Sequence, residues 1–169
     1  MASVPSFTSD CANCVALCCV SFAFDKSEDF AIDKPACTPC PNLTDDNTCV
    51  IHETLEADGF SGCARYDCLG AGQRVTHEVF SGQSWRHSPE LITPMANAFA
   101  ALRVVHRDLE LLLAARNLTL PAPVAAERDT LIEILAPDDG WSAQSLQITV
   151  ETGLSNRVSG FLRGLRAFV

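Results

Sequence analysis

Nine cysteines fall between residues 11 and 68, and none follows. They open as Cys11-Ala-Asn-Cys14-Val-Ala-Leu-Cys18-Cys19 and continue with Cys37, Cys40, Cys49, Cys63 and Cys68. Thiols gathered at such spacings bind metal, form disulfides or exchange electrons. A C-x2-C turn brings two sulfurs to a shared centre about 2.3 Å from each, and two such pairs occur, Cys11/Cys14 and Cys37/Cys40. Neighbouring side chains diverge along a backbone, so the Cys18-Cys19 doublet suggests a cluster with several metal corners or two adjacent sites. An odd number of cysteines argues against a disulfide framework. The first ten residues carry no basic start and no apolar signal core, so the expected compartment is the cytoplasm, where stable disulfides are rare. Metal binding is the expected chemistry.

The opening stretch resembles that of the zinc- or iron-chelating proteins marked by CxxCxxCC, with one extra residue before the doublet. Cys40-Pro-Asn-Leu43, Cys49-Val-Ile-His52 and Gly62-Cys63 are similar to the later half of that pattern. A closer resemblance is to the cysteine-rich module ahead of the repeats in certain bacterial pentapeptide-repeat proteins. It is carried by Phe30-Ala-Ile-Asp33-Lys34-Pro35, Cys40-Pro-Asn-Leu43, Gly59-Phe60-Ser-Gly62-Cys63, Tyr66-Asp67-Cys68 and Gly70-Ala-Gly72-Gln73. It covers roughly residues 11–87 strongly and the following helix weakly. The resemblance implies a metal-chelating module with eight ligands: Cys11, Cys14, Cys18, Cys19, Cys40, Cys49, Cys63 and Cys68. Cys37 stands where that pattern expects glycine and is read as the extra thiol.

Two metals suit eight thiolates. Zinc would take them four and four and contribute folding energy directly. An iron–sulfur cluster suits them equally, and Cys40-Pro41 is like the cysteine–proline pair closing bacterial ferredoxin ligand runs. Iron–sulfur is placed slightly ahead of Zn(II).

Other motifs yield less. His52 follows Cys49 at a ligand-compatible spacing, although its more ordinary role is a polar residue beside the lobe. His77 and His87 lie outside the cysteine segment, and His106 falls near the apolar face of a long helix. His52-Glu53 and His77-Glu78 lack the second histidine of a zinc-protease motif, having Glu56 and Ser81 there. Gly70-Ala-Gly72 lacks the third glycine of a dinucleotide fingerprint, since Val75 stands in its place, and reads as a turn against the lobe. No serine-nucleophile elbow is present. Thioredoxin-like exchange would need a C-x-x-C between a strand and a helix, for which the surrounding signals are missing.

The charge narrows the partners. The chain carries a formal −9. Residues 1–85 hold four Lys or Arg against twelve Asp or Glu, and residues 86–169 hold eight against nine. Thiolates would deepen the acidic field of the first part. Phosphate backbones require a basic footprint, so nucleic acid is excluded as a partner. The apolar run Val15–Phe24 is too short to span a membrane. A protein partner and the oligomeric state are left open.

The elements that must position these thiols divide the chain at two places. Residues 1–10 read as a flexible tail. Residues 11–87, rich in Pro, Gly, Asp and Asn without sustained periodicity, read as an irregular, small α+β metal lobe. Residues 88–169 read as a helical region of about three helices, giving a mainly α fold overall. Met95, Ala98, Phe99, Leu102, Val105, Leu109, Leu112 and Leu113 recur at spacings of three and four, which predicts a long amphipathic helix opened by Thr93-Pro94. A second helix spans about Val124 to Ala136. Leu146 through Phe168 keep helical spacing, weakened by Gly153, Gly160 and Gly164. The expected function is a cysteine-ligated metal protein in an accessory or interaction role. The alternative is an iron–sulfur redox enzyme or electron carrier, and thiol–disulfide exchange ranks last.

Overall fold

The computed structural model describes residues 4–168. Among them the chain is mainly helical. The β content expected of the lobe reduces to two isolated antiparallel bridges, Phe24 with Lys34 and Leu43 with Cys49. No helix of the described residues is long and apolar enough to cross a membrane.

Three short helices lie in the first half: α1 (Leu17–Ser21), α2 (Ser61–Arg65) and α3 (Ala71–Arg74), the last widening into a π turn over Val75–Val79. Four longer ones follow: α4 (Ile92–Ala114), α5 (Ala122–Leu135), α6 (Ala143–Glu151) and α7 (Leu154–Gly164). The apolar stripe of α4 forms as its spacing requires. Met95, Phe99, Leu102, Leu109 and Leu112 are fully buried, and α1, α3, α5, α6 and α7 all pack on this helix. It begins earlier than Thr93-Pro94 implies. A 3-10 turn at Pro89–Leu91 leads straight into Ile92. Pro94 then falls in the first turn, where its missing N–H has no intrahelical partner to lose.

The C-terminal series, expected as one element, is two helices. Gly153 adopts φ +65° between α6 and α7, a conformation that bends the chain without the steric cost a side chain would carry. Ser142 caps α6 reciprocally with Ser145. Gln147-Ile-Thr-Val150, for which an extended reading stood open, is helical.

One hydrophobic core runs through both halves. Leu17 and Val20 of α1, Ala71, Val75 and Trp85 belong to the same cluster as the α4 stripe, Leu131, Leu135, Trp141, Leu146 and Val158. The indole N–H of Trp85 donates to the Val15 carbonyl at 2.7 Å. A five-residue helix such as α1 has no stability alone. Its Leu17 and Val20, each 1% exposed, supply the anchor, worth roughly 1.5–3 kcal/mol apiece on burial.

Candidate metal centre

All nine cysteines are free thiols; Cys11 is exposed and the other eight are half-buried. They lie in and just after the 3-10 turn Cys11–Asn13, on α1, in the loop of residues 37–49, on α2 and just before α3. The first C-x2-C pair sits in a 3-10 turn, Cys11–Asn13, where Asp10 accepts from the Asn13 amide and the Cys14 amide donates to the Cys11 carbonyl. Leu17 and Val20 are buried on α4, Cys18 packs against the edge of the same core, and Cys19 is half-buried. Their sulfurs lie 3.8 Å apart. The expectation that adjacent cysteines diverge is thus corrected, because the helical turn brings both sulfurs together. Four sulfurs at about 2.3 Å from a zinc ion are separated by about 3.8 Å along each tetrahedral edge, so this pair fits two corners of one site.

The loop carrying Cys37 and Cys40 is tied to the end of α1. The Cys40 amide donates to the Cys19 carbonyl at 3.0 Å and the Cys37 amide to the Ser21 carbonyl at 3.4 Å. A tight hairpin returns Cys49 beside it through the Leu43–Cys49 bridge and a bond from the Val50 amide to the Asn42 carbonyl. Cys63 lies on α2, which Asp29 holds from outside: it accepts from Ser61 Oγ at 2.8 Å and pairs with Arg65. Gly62 leaves space for the Phe30 ring, into which a Cβ would run.

Cys68 lies just before Gly70, which adopts φ +73° at the start of α3, so Ala71 and Gly72 are helical and not the turn expected there. Its sulfur lies 3.0 Å from Ser9 Oγ, and Ser9 also donates to Asp67 at 2.7 Å. Gln73 adds bonds to Thr8 and Asp10. These contacts place residues 8–10 against the cysteine centre. Gly72 cradles the Cys14 sulfur, which an added Cβ would meet at 2.7 Å.

The electrostatics divide the thiols into two sets that meet at Cys18. Burial, then Cys18 and Cys68, raise the pKa of Cys11; the same influences push Cys14 up to about 11. Burial with Cys40 and Cys18 raises Cys49, and burial with Cys18, Cys40 and Cys49 pushes Cys63 up to about 11. Cys18 is raised well above the ordinary thiol value by its contact with Cys19 and by burial. Thiols that resist ionisation so strongly lack a neighbouring cation equal to their number. A coordinated divalent ion inverts this balance and deprotonates a thiol outright.

Among the described residues, no three His, Cys, Asp or Glu side chains stand in an arrangement that would hold a metal ion as placed. What is present is a sulfur-only donor set, one pair at tetrahedral spacing, and a glycine cradle under a third sulfur. That set fits zinc or an iron–sulfur cluster by the softness of its donors. His52 is exposed in the turn after Cys49. Cys37 has φ +54°, the left-handed region that favours glycine, which accounts for the glycine expected at that position.

Two residues carry more of the site than their sequence signal showed. Lys34 is 3% exposed, and its ammonium donates to the carbonyls of Val20, Phe22 and Pro35. His106 is fully buried on α4, with Nδ1 against the Leu69 carbonyl and Nε2 2.8 Å from Arg74 Nη1. Since arginine only donates, Nε2 accepts and Nδ1 carries the proton. Burial pushes its pKa down to about 4. Through Leu69 it steadies the turn that carries Cys68.

The chain is similar to the uncharacterized protein YybG of Bacillus subtilis (strain 168), with 40% identity over 126 residues, or 75% of this chain and 45% of YybG. The chain thus spans less than half the length of that curated relative. No family model matches it, and no solved structure does.

Proposed function

We propose that this chain is a cysteine-ligated metal-binding protein, holding zinc or an iron–sulfur cluster in an accessory or interaction role. The observation that supports the reading is the 3.8 Å approach of the Cys18 and Cys19 sulfurs, in a chain whose nine cysteines are all free and lie within residues 11–68. Zinc would cross-link the irregular first half. A cluster would add electron transfer. Thiol–disulfide exchange at the Cys11/Cys14 pair is disfavoured, since it calls for a lowered thiol pKa and burial raises both.

Serine substitution with metal analysis tests the ligand set. Cys14→Ser, Cys40→Ser and Cys49→Ser should each lose metal, whereas Cys37→Ser should retain it. Equal loss in Cys37→Ser and Cys14→Ser would refute the eight-cysteine assignment.

A further inference from the structure

We propose that Lys34 is the built-in counter-charge of the cysteine centre, a fixed cation that favours metal-loaded thiolates over free thiols. The proposal rests on the metal-binding reading above. It begins with an imbalance. Lys34 is buried at 3% exposure, and among the described residues no carboxylate pairs with it. Its three N–H donors are taken up by the Val20, Phe22 and Pro35 carbonyls, and its ammonium stands 5.5 Å from the centre of the Phe24 ring. Carbonyls and a ring face solvate a cation without neutralising it, and an uncompensated buried charge is costly.

Burial lowers the Lys34 pKa, and the groups that oppose this by favouring its charge are thiols: Cys40, Cys19, Cys37 and Cys18. The backbone explains why. Val20 O, the first carbonyl Lys34 binds, directly follows Cys19, whose own carbonyl takes the Cys40 amide; the next residue, Ser21, takes the Cys37 amide. Lysine and cysteines therefore close the same end of α1. Protonated thiols offer no charge to balance the ammonium. Four thiolates around a divalent ion carry a net −2 and do. The same side chain holds the loop in place through its hydrogen bonds and stabilises the loaded state through its charge. It is a positioning residue, with every donor committed to the backbone.

Two variants separate charge from hydrogen bonding. Lys34→Gln keeps donors for the carbonyls and removes the charge, whereas Lys34→Arg keeps both. Zn(II) affinity of the full chain is measured by competition with a chromophoric chelator, and circular dichroism is recorded on the same samples before zinc is added. The expected result is an affinity loss of roughly 10–100-fold for Lys34→Gln, the range for outer partners of metal ligands. Lys34→Arg should recover most of it, and both should keep the helical signal. Wild-type affinity in Lys34→Gln, or an equal loss in Lys34→Arg, would overturn the proposal. Loss of the helical signal in Lys34→Gln before zinc would also overturn it, making the lysine a clamp of the fold alone. A wild-type chain that binds neither zinc nor iron would instead strike down the metal reading, and this proposal with it.

Discussion

Gly72→Ala places one methyl group against the cysteine centre, and its cost follows from two opposing effects. Gly72 lies in α3, and replacing a helical glycine by alanine stabilises by roughly 0.5–1 kcal/mol. The new Cβ, however, would lie 2.7 Å from Cys14 Sγ and 3.6 Å from Cys14 Cβ, with Phe99 Cε2 behind it at 3.8 Å. Contacts under 3.0 Å force a shift, and overpacking of this kind costs about 1–3 kcal/mol. The net expectation is a loss of about 1 kcal/mol, which at this chain length lowers Tm by about 2–4 °C. Because the methyl displaces the Cys14 sulfur, metal content should fall as well. Thermal unfolding followed by circular dichroism reads the first effect and elemental analysis the second. Gly164→Ala serves as the control, since nothing lies within 4 Å of its added Cβ, and it should be neutral or slightly stabilising. In a Cys14→Ala background the clash is absent and Gly72→Ala should no longer destabilise. A Gly72→Ala protein that melts at or above wild type with full metal content would refute the placement of Cys14 against Gly72.

Two further expectations concern backbone strain and protonation. Cys37→Gly removes a left-handed non-glycine residue, a strain of roughly 1–2 kcal/mol, partly offset by the extra freedom of glycine in the unfolded chain, roughly 0.4–1 kcal/mol. Denaturant unfolding should show a small gain of up to about 1.5 kcal/mol with unchanged metal content. The second concerns His106, whose folded pKa of about 4 lies below the unfolded value of 6.5. The stability it contributes is therefore present above pH 6.5 and lost as pH falls towards 4, a change of about 3 kcal/mol. His106→Gln should lower stability at pH 7.5 and flatten the pH dependence between 6.5 and 4 relative to wild type. Parallel profiles for the two proteins would show that His106 is not held neutral.

The parts of this fold that were legible in sequence are those governed by period. The α4 stripe from Met95 to Leu112 requires only a 3.6-residue repeat and an apolar partner, so its existence followed directly. Boundaries were less readable. The start of α4 depends on the 3-10 turn after Ser88, and the division of the C-terminal series depends on the conformation of Gly153. In the first half, cysteine spacing marked the donors without showing their arrangement. The 3.8 Å approach of Cys18 and Cys19 arises from the turn of α1, which exists only because Leu17 and Val20 are buried on α4. The approach of the Cys37–Cys40 loop to α1 depends on the bond from the Cys40 amide to the Cys19 carbonyl, a contact between residues 21 positions apart. Lys34 gave no sign of burial, because a single lysine in a polar loop looks solvated until three carbonyls from the end of α1 and the next residue converge on it.

Anaerobic purification, followed by elemental analysis and a visible spectrum on the same sample, tests the central claim most directly. The account predicts either stoichiometric zinc without colour or iron with sulfide and broad absorption near 400 nm that dithionite bleaches. Zinc would assign a structural or binding module, and iron would make electron transfer the next question. A folded protein containing neither metal, with all nine thiols titrating as free, would contradict the account.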